Sequence, residues 1–164
     1  DGYIVDKVIS ILHQHEVTDV CVSKGSVKST ISGNSEHTFN EIILKEGPSP
    51  DSLEVVTLKG IKTRAQAILY TEEKLLINLT TGYPVKNRVL CVAVFGPEAY
   101  AAEVLSYIVA SGEINSGVAL VEEVPFFEVV CFTEHRDVFC SSGIQQYITE
   151  VNPEYTVRVY NTGP

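Results

Sequence analysis

The densest run of reactive side chains is Glu134-His135-Arg136-Asp137, followed at once by Val138-Phe139 and then Cys140-Ser141-Ser142-Gly143. A cysteine or serine nucleophile needs a base within hydrogen-bond reach, and His135 is the nearest base in sequence. Nothing else in the chain supports that pairing, and a polar loop entering a strand explains the same residues. His-Arg-Asp also occurs in the catalytic loop of protein kinases. Here no glycine-rich loop, strand lysine signature or Asp-Phe-Gly accompanies it. The other histidines, His13, His15 and His37, do not stand with His135 at metal-ligand spacing. On a helix His13 and His15 would face different directions. Gly25-Ser26-Val27-Lys28-Ser29-Thr30 ends like a phosphate loop, but Val27 stands where that loop needs glycine before its lysine. Asn78-Leu79-Thr80 is a glycosylation sequon inside an expected strand. The residues thus point to no catalytic, cofactor or metal site, and the chain is expected not to be an enzyme.

The elements that would position these residues belong to a chain of 164 residues, the size of a single domain. Its formal net charge is -9, which argues against a protein that grips nucleic-acid phosphates or an anionic membrane. From Val89 to His135 there is no lysine or arginine, while seven glutamates occur. Such a stretch is expected to face water or a partner. No apolar run reaches the roughly 20 residues of a membrane span. The acidic start, Asp1-Gly2-Tyr3, lacks the basic region of a signal peptide. Cys21, Cys91, Cys131 and Cys140 are widely spaced, and three of them lie in apolar runs. Buried free thiols and folding in a reducing cytosol are the expectation.

The spacing predicts a first helix over Gly2–His15, with Tyr3, Ile4, Val8, Ile11 and Leu12 as its apolar face. Asp1 would cap it and Asp6 would favour its first turns. A strand over Val17–Val22 follows, then a polar loop or arm at 23–36. Strands are expected at His37–Leu44, Leu53–Leu58, Ala65–Tyr70 and Lys74–Leu79. Arg88–Phe95 reads as a central strand buried on both faces. Gly96-Pro97-Glu98 would turn the chain into a helix over Pro97–Ser111, with Tyr100, Val104, Tyr107 and Ile108 on its face and Gly112 at its end. Short strands at Val118–Val121, Phe126–Phe132, Asp137–Ile148 and Tyr155–Tyr160 complete the reading. The fold expected is α+β, a mixed β-sheet with two main helices packed on one face. One domain would span 1–164, with a carboxy-terminal extension at 152–164.

The stretch Val85–Val151 resembles the small ring-forming tail terminator proteins of bacteriophages. The residues that carry the resemblance are the strand Val89–Phe95 and the alanine-rich helix from Gly96 to Ile108. They are joined by Gly117-Val-Ala-Leu-Val121, the cluster Glu134-His-Arg-Asp137 and a closing amphipathic strand, Phe139–Val151. The resemblance implies a virion structural protein in the tail or neck, folded and assembled in host cytoplasm. It would be a ring homo-oligomer, a hexamer in the family, capping the tail tube and meeting the head-side connector. DNA would pass through without specific binding, and no membrane would be involved. Glu98, Glu103, Glu113 and Glu122 would then line the lumen. Lys24 and Lys28 on the polar loop, Phe126 or Phe127, and Tyr155 and Tyr160 are the interface candidates, since adjacent aromatics in a strand point to opposite faces. The alternatives are a cytosolic α/β binding or adaptor module, and a small enzyme using Cys140 or Ser141 with His135.

Overall fold

The computed structural model describes residues 1–31, 38–73, 76–78, 81–85 and 88–160. His37, half of the expected strand at 74–79, Leu79 and Thr80 of the sequon, and residues 161–164 lie outside them. In chain order the elements are α1 (Gly2–Gln14), β1 (Val20–Lys24), β2 (Val27–Ile31), β3 (Thr38–Lys45), β4 (Glu54–Lys62) and β5 (Ala65–Tyr70). Then come β6 (Val89–Gly96), α2 (Ala99–Ser111), α3 (Ile114–Glu123), β7 (Glu128–Thr133), β8 (Asp137–Cys140), β9 (Ile148–Val151) and β10 (Thr156–Val159).

The main sheet has seven strands in the order β1-β2-β5-β6-β7-β8-β10. Every neighbouring pair is antiparallel except β8 and β10, which run parallel. A second antiparallel sheet, β3-β4-β9, lies against one face of the first. The helices cover the other face. The chain is therefore α+β, as its sequence implies.

β6 shows why three layers form. Val92 and Val94 point into the core under the helices, with Val5, Ala67, Leu105 and Val129. Cys91, Ala93 and Phe95 point into the core between the sheets, with Leu44, Leu58, Phe132 and Ile144. Successive strand residues face opposite sides, so a strand apolar at every position needs a cover on both.

Three helices, not two, cover the helical face. Residues 114–123 form α3 where a strand at Val118–Val121 was expected. A short apolar run is ambiguous by periodicity alone. Here Gly117, Val118 and Val121 are the buried positions, at helical spacing. The faces of the other two helices also differ from expectation. α1 buries Gly2, Val5 and Ile9 and leaves Tyr3, Ile4, Val8 and Ile11 exposed. α2 buries Ala99, Ala102, Leu105, Ser106, Val109 and Ala110, while Tyr100, Val104 and Ile108 are exposed. Small residues let a helix lie close on a sheet, and they carry little weight in a search for bulky apolar stripes. Gly112 ends α2 in extended backbone (φ -102°), not in the left-handed turn expected of it.

Other boundaries shift for local reasons. Much of the expected polar loop at 23–36 is the end of β1 and all of β2, joined at Gly25, whose φ is +57°. The long closing strand splits at Ser141–Tyr147: β8 stays in the main sheet and β9 joins the second. Part of the carboxy-terminal extension is β10, paired with β8.

Phe132 is fully buried between the sheets, edge-to-face with Tyr155 at 6.0 Å. Phe132→Ala is expected to cost about 3–5 kcal/mol, read as a lower urea midpoint. Phe126→Ala, at a side chain 87% exposed, should leave the midpoint nearly unchanged.

Candidate functional site

The reactive residues singled out in the sequence do not converge. β8 separates the turn holding His135 from Cys140 by roughly 10 Å, at about 3.3 Å per residue. The His135 ring meets Arg88 at 2.9 Å (Nε2 to Nη1), and its backbone N–H donates to Thr133. Ser141 is fully buried. Its hydroxyl donates to the Glu128 carboxylate and accepts from the Val129 N–H. Ser142 is tied to Glu122 by its hydroxyl and by its N–H. These serines fasten the end of β8 to β7 and α3 through carboxylates, and His135 is bonded elsewhere, to Arg88 and Thr133.

Burial pushes the thiols up. Cys140 lies near 11, its charged form further disfavoured by Glu122 and Glu128. Cys131 lies near 12, and Cys91 is also raised well above its ordinary value. Cys21, on β1, is exposed. No group of three or more histidine, cysteine, aspartate or glutamate residues among the described ones could hold a metal ion.

The structure does bring together two turns at one end of the main sheet. One is Lys62–Ala65, between β4 and β5. The other is Gly96-Pro97-Glu98, between β6 and α2. The Thr63 hydroxyl joins them by donating to the Gly96 carbonyl at 2.8 Å. The Ser29 hydroxyl donates to the Arg64 carbonyl at 3.2 Å. Gly96 is required here, because a Cβ would come within 2.2 Å of the Phe127 ring. Phe127 is buried, whereas Phe126 stands out in solvent with φ +68°.

Two cavities open beside these turns and share Arg64 and Pro97. One, of about 270 Å³, is also lined by Lys62, Phe95, Phe126, Glu128 and Tyr147. The other, of about 430 Å³, is also lined by Tyr3, Asp6, Lys7, His13, Glu98 and Tyr100. Glu128 is shifted upward, first by burial and then by the Glu122 charge, against donors on Ser141, Ile144 and Gly143.

Asp6 closes the start of α2. Its carboxylate accepts from the Ala99 N–H at 2.9 Å and the Tyr100 N–H at 2.8 Å. The α2 N-cap residue, Glu98, makes no side-chain cap bond, and neither does Asp1 for α1. Asp6 therefore caps a helix other than its own. This works because α1 crosses the start of α2 at Gly2, where a Cβ would lie 2.5 Å from the Ala99 carbonyl oxygen.

The remaining sequence candidates are placed as follows. Lys24 pairs with the Asp1 carboxylate at 3.5 Å. Lys28 stands on β2 between Ser23 and Gln66. Tyr155 is buried and donates to Glu46 at 2.6 Å, and its phenol is shifted upward by burial and by Glu46. Tyr160 packs partly against the core under the helices. Glu103 accepts from the Gly2 N–H at 2.7 Å, Glu113 from the Ser116 hydroxyl, and Glu122 from Ser142.

The fold and this cleft define a class: a helix-covered sheet backed by a second sheet, with a polar cleft where two strand ends turn. The chain belongs to the ApbE family, whose sequence model matches residues 1–131. Solved structures share the fold. The flavin transferase ApbE from Vibrio cholerae superposes with TM-score 0.69 at 22% identity, covering 89% of this chain and 50% of that one. The ApbE protein from Thermotoga maritima gives 0.65 at 18% identity, covering 91% and 51%. The chain thus spans about half the length of these structures. A search of curated proteins finds no match.

The family match overturns the resemblance to tail terminators. With it go the virion location, the hexameric ring and the tail-tube and connector partners. Strand-glycine-helix units occur in many folds, and α3 and the split closing strand break the rest of the pattern. The expectation of a non-enzyme is corrected too, since a matching structure of the family is a transferase. The enzyme alternative lies nearer, though not through Cys140, Ser141 and His135.

Two outcomes follow. Asp6→Ala should cost about 1 kcal/mol, the usual value of a lost helix cap, in denaturant unfolding. At pH 8 an aromatic disulfide reagent should titrate Cys21 quickly and the other three thiols only after unfolding.

Proposed function

We propose that the chain is the flavin-holding half of a flavin transferase of the ApbE kind, and that the cleft at Arg64 and Pro97 takes the nucleotide. The observation that carries this is the make-up of the cleft. In a chain of net charge -9, Arg64 lines both of the cavities that meet at Pro97, with Lys62 on one and Lys7 on the other.

A flavin nucleotide joins a flat aromatic ring system to phosphate. The residues fit both parts. Arg64 and Lys62 offer charge-assisted hydrogen bonds to phosphate oxygens. Tyr3, Tyr100 and Tyr147 offer aromatic faces. Lys7 lies 5.5 Å from the Tyr3 ring centroid, which holds a cation at the rim. Two of the cleft's acids are engaged: Asp6 caps α2, and Glu128 accepts from Ser141. When bound, the nucleotide would supply the group to be transferred. The chain's own part is to orient it and to shield it from water on one side.

Titration of the chain with flavin adenine dinucleotide, followed by flavin fluorescence, tests this. Saturable quenching is expected. Arg64→Ala should weaken it about tenfold or more, since a hydrogen bond to a charged group contributes about 1.5–3 kcal/mol. Lys59→Ala, on the second sheet, should leave it unchanged. Absence of saturation, or equal affinity for both variants, would overturn the reading.

A further inference from the structure

The main sheet ends on one side at β1. Among the described residues no strand pairs with the outer edge of β1. Alternate residues of an antiparallel edge strand send both N–H and C=O outward, ready to pair with another chain. The other sheet ends carry charge within the strand. β10 holds Arg158, in an ion pair with Asp137 at 2.8 Å. β3 holds Glu41, and β9 holds Glu150. β1 reads Val-Cys-Val-Ser-Lys, with no proline, no register shift and one charge, at its last residue.

An apolar stripe borders this edge. Gly2 and Asp6 meet α2. At 3.6 residues per turn, Ile4, Val8 and Ile11 lie roughly half a turn away from them. That is the side of α1 facing away from α2, and α1 itself packs on β1 and β2. Ile4 is 47% exposed, Val8 37% and Ile11 53%.

We propose that the β1 edge and the Ile4-Val8-Ile11 side of α1 form a two-fold interface with a second copy of this chain. The charges suit a self-pairing. Glu16 and Asp19 precede β1 and Lys24 ends it. Antiparallel pairing of two such strands sets each Lys24 near the acids of the other copy. The Lys24 pair with Asp1 leaves both side chains more than a third exposed. Each copy contributes the same patch, so the contact closes at two subunits and builds no ring. Two sheets joined this way would bring the two α1 stripes together over the junction and remove them from water. This inference stands apart from flavin binding, which the cleft at Arg64 governs.

The exposed thiol of Cys21 reports on the contact. Registers centred on Cys21 or Val22 place the two Cys21 residues about 5–8 Å apart. A bis-maleimide of that reach should yield a covalent dimer of the native chain on a denaturing gel. Light scattering should give twice the chain mass. The double variant Val8→Glu/Ile11→Glu should fold, by circular dichroism, yet self-associate at least tenfold more weakly and lose the cross-link. Ile108→Glu, on α2, should keep both. A monomer at the highest soluble concentration, or a dimer unaffected by the double variant, would overturn the proposal.

Discussion

A strand that is apolar on both faces has to be covered twice, and β6 imposes that requirement on everything around it. Its two sets of alternating side chains enter separate cores. One core lies under the helices, where α1, α2 and α3 supply Val5, Ala102, Leu105, Val109, Val118 and Val121. The other needs a second sheet, which β3 and β4 supply together with β9, brought back from the far end of the chain. The split of the closing segment into β8 and β9 follows from the same demand, since one strand cannot serve both layers. The Ser141–Tyr147 crossing between them is held by carboxylates on β7 and α3.

The cleft arises where that layering stops. At the end of β6 the chain must leave the sheet, and the turns at Lys62–Ala65 and Gly96–Glu98 cannot bury their backbone groups in either core. They satisfy part of this need through each other, by the Thr63–Gly96 bond, while Asp6 takes the Ala99 and Tyr100 N–H groups just after the second turn. What remains open is a concave polar surface with aromatic walls. Its charged residues come from sequence positions far apart, Lys7 from the first helix and Lys62 and Arg64 from a turn. Only the folded sheet makes them neighbours.

Much of the fold was legible. The α+β class, the mixed sheet, β5 at Ala65–Tyr70, the doubly buried β6 and the helix after it all show in apolar runs and in glycine and proline. The burial of Cys91 and Cys131 follows from those runs, whereas Cys21, in the run Asp19-Val20-Cys21-Val22, is exposed on the edge strand. The faces of α1 and α2 were not legible, because the stripe with the largest apolar side chains is the exposed one. Gly2 and the alanines of α2 face inward for reasons of approach distance, which a hydrophobicity pattern does not encode. α3 was hidden because four apolar residues in a row suit strand and helix alike. The cleft was missed because its residues share no motif. The one available signal was Asp6 beside Gly2, read as serving its own helix when it serves another. The densest reactive cluster, at residues 134–143, reads as a polar turn entering a strand, and β8 carries its two ends apart.

That borrowed cap has a kinetic meaning. Asp6 and Ala99 are 93 residues apart, so the first turn of α2 gains its carboxylate only after α1 has docked. Whenever α1 lifts away, the amides of Ala99 and Tyr100 lose their acceptor and the cleft loses the wall made by Tyr3 and Lys7. Amide hydrogen exchange at the start of α2 is therefore tied to the opening of α1. A ligand seated between them would slow both together, and the protection of two backbone amides becomes a gauge of whether the cleft is filled.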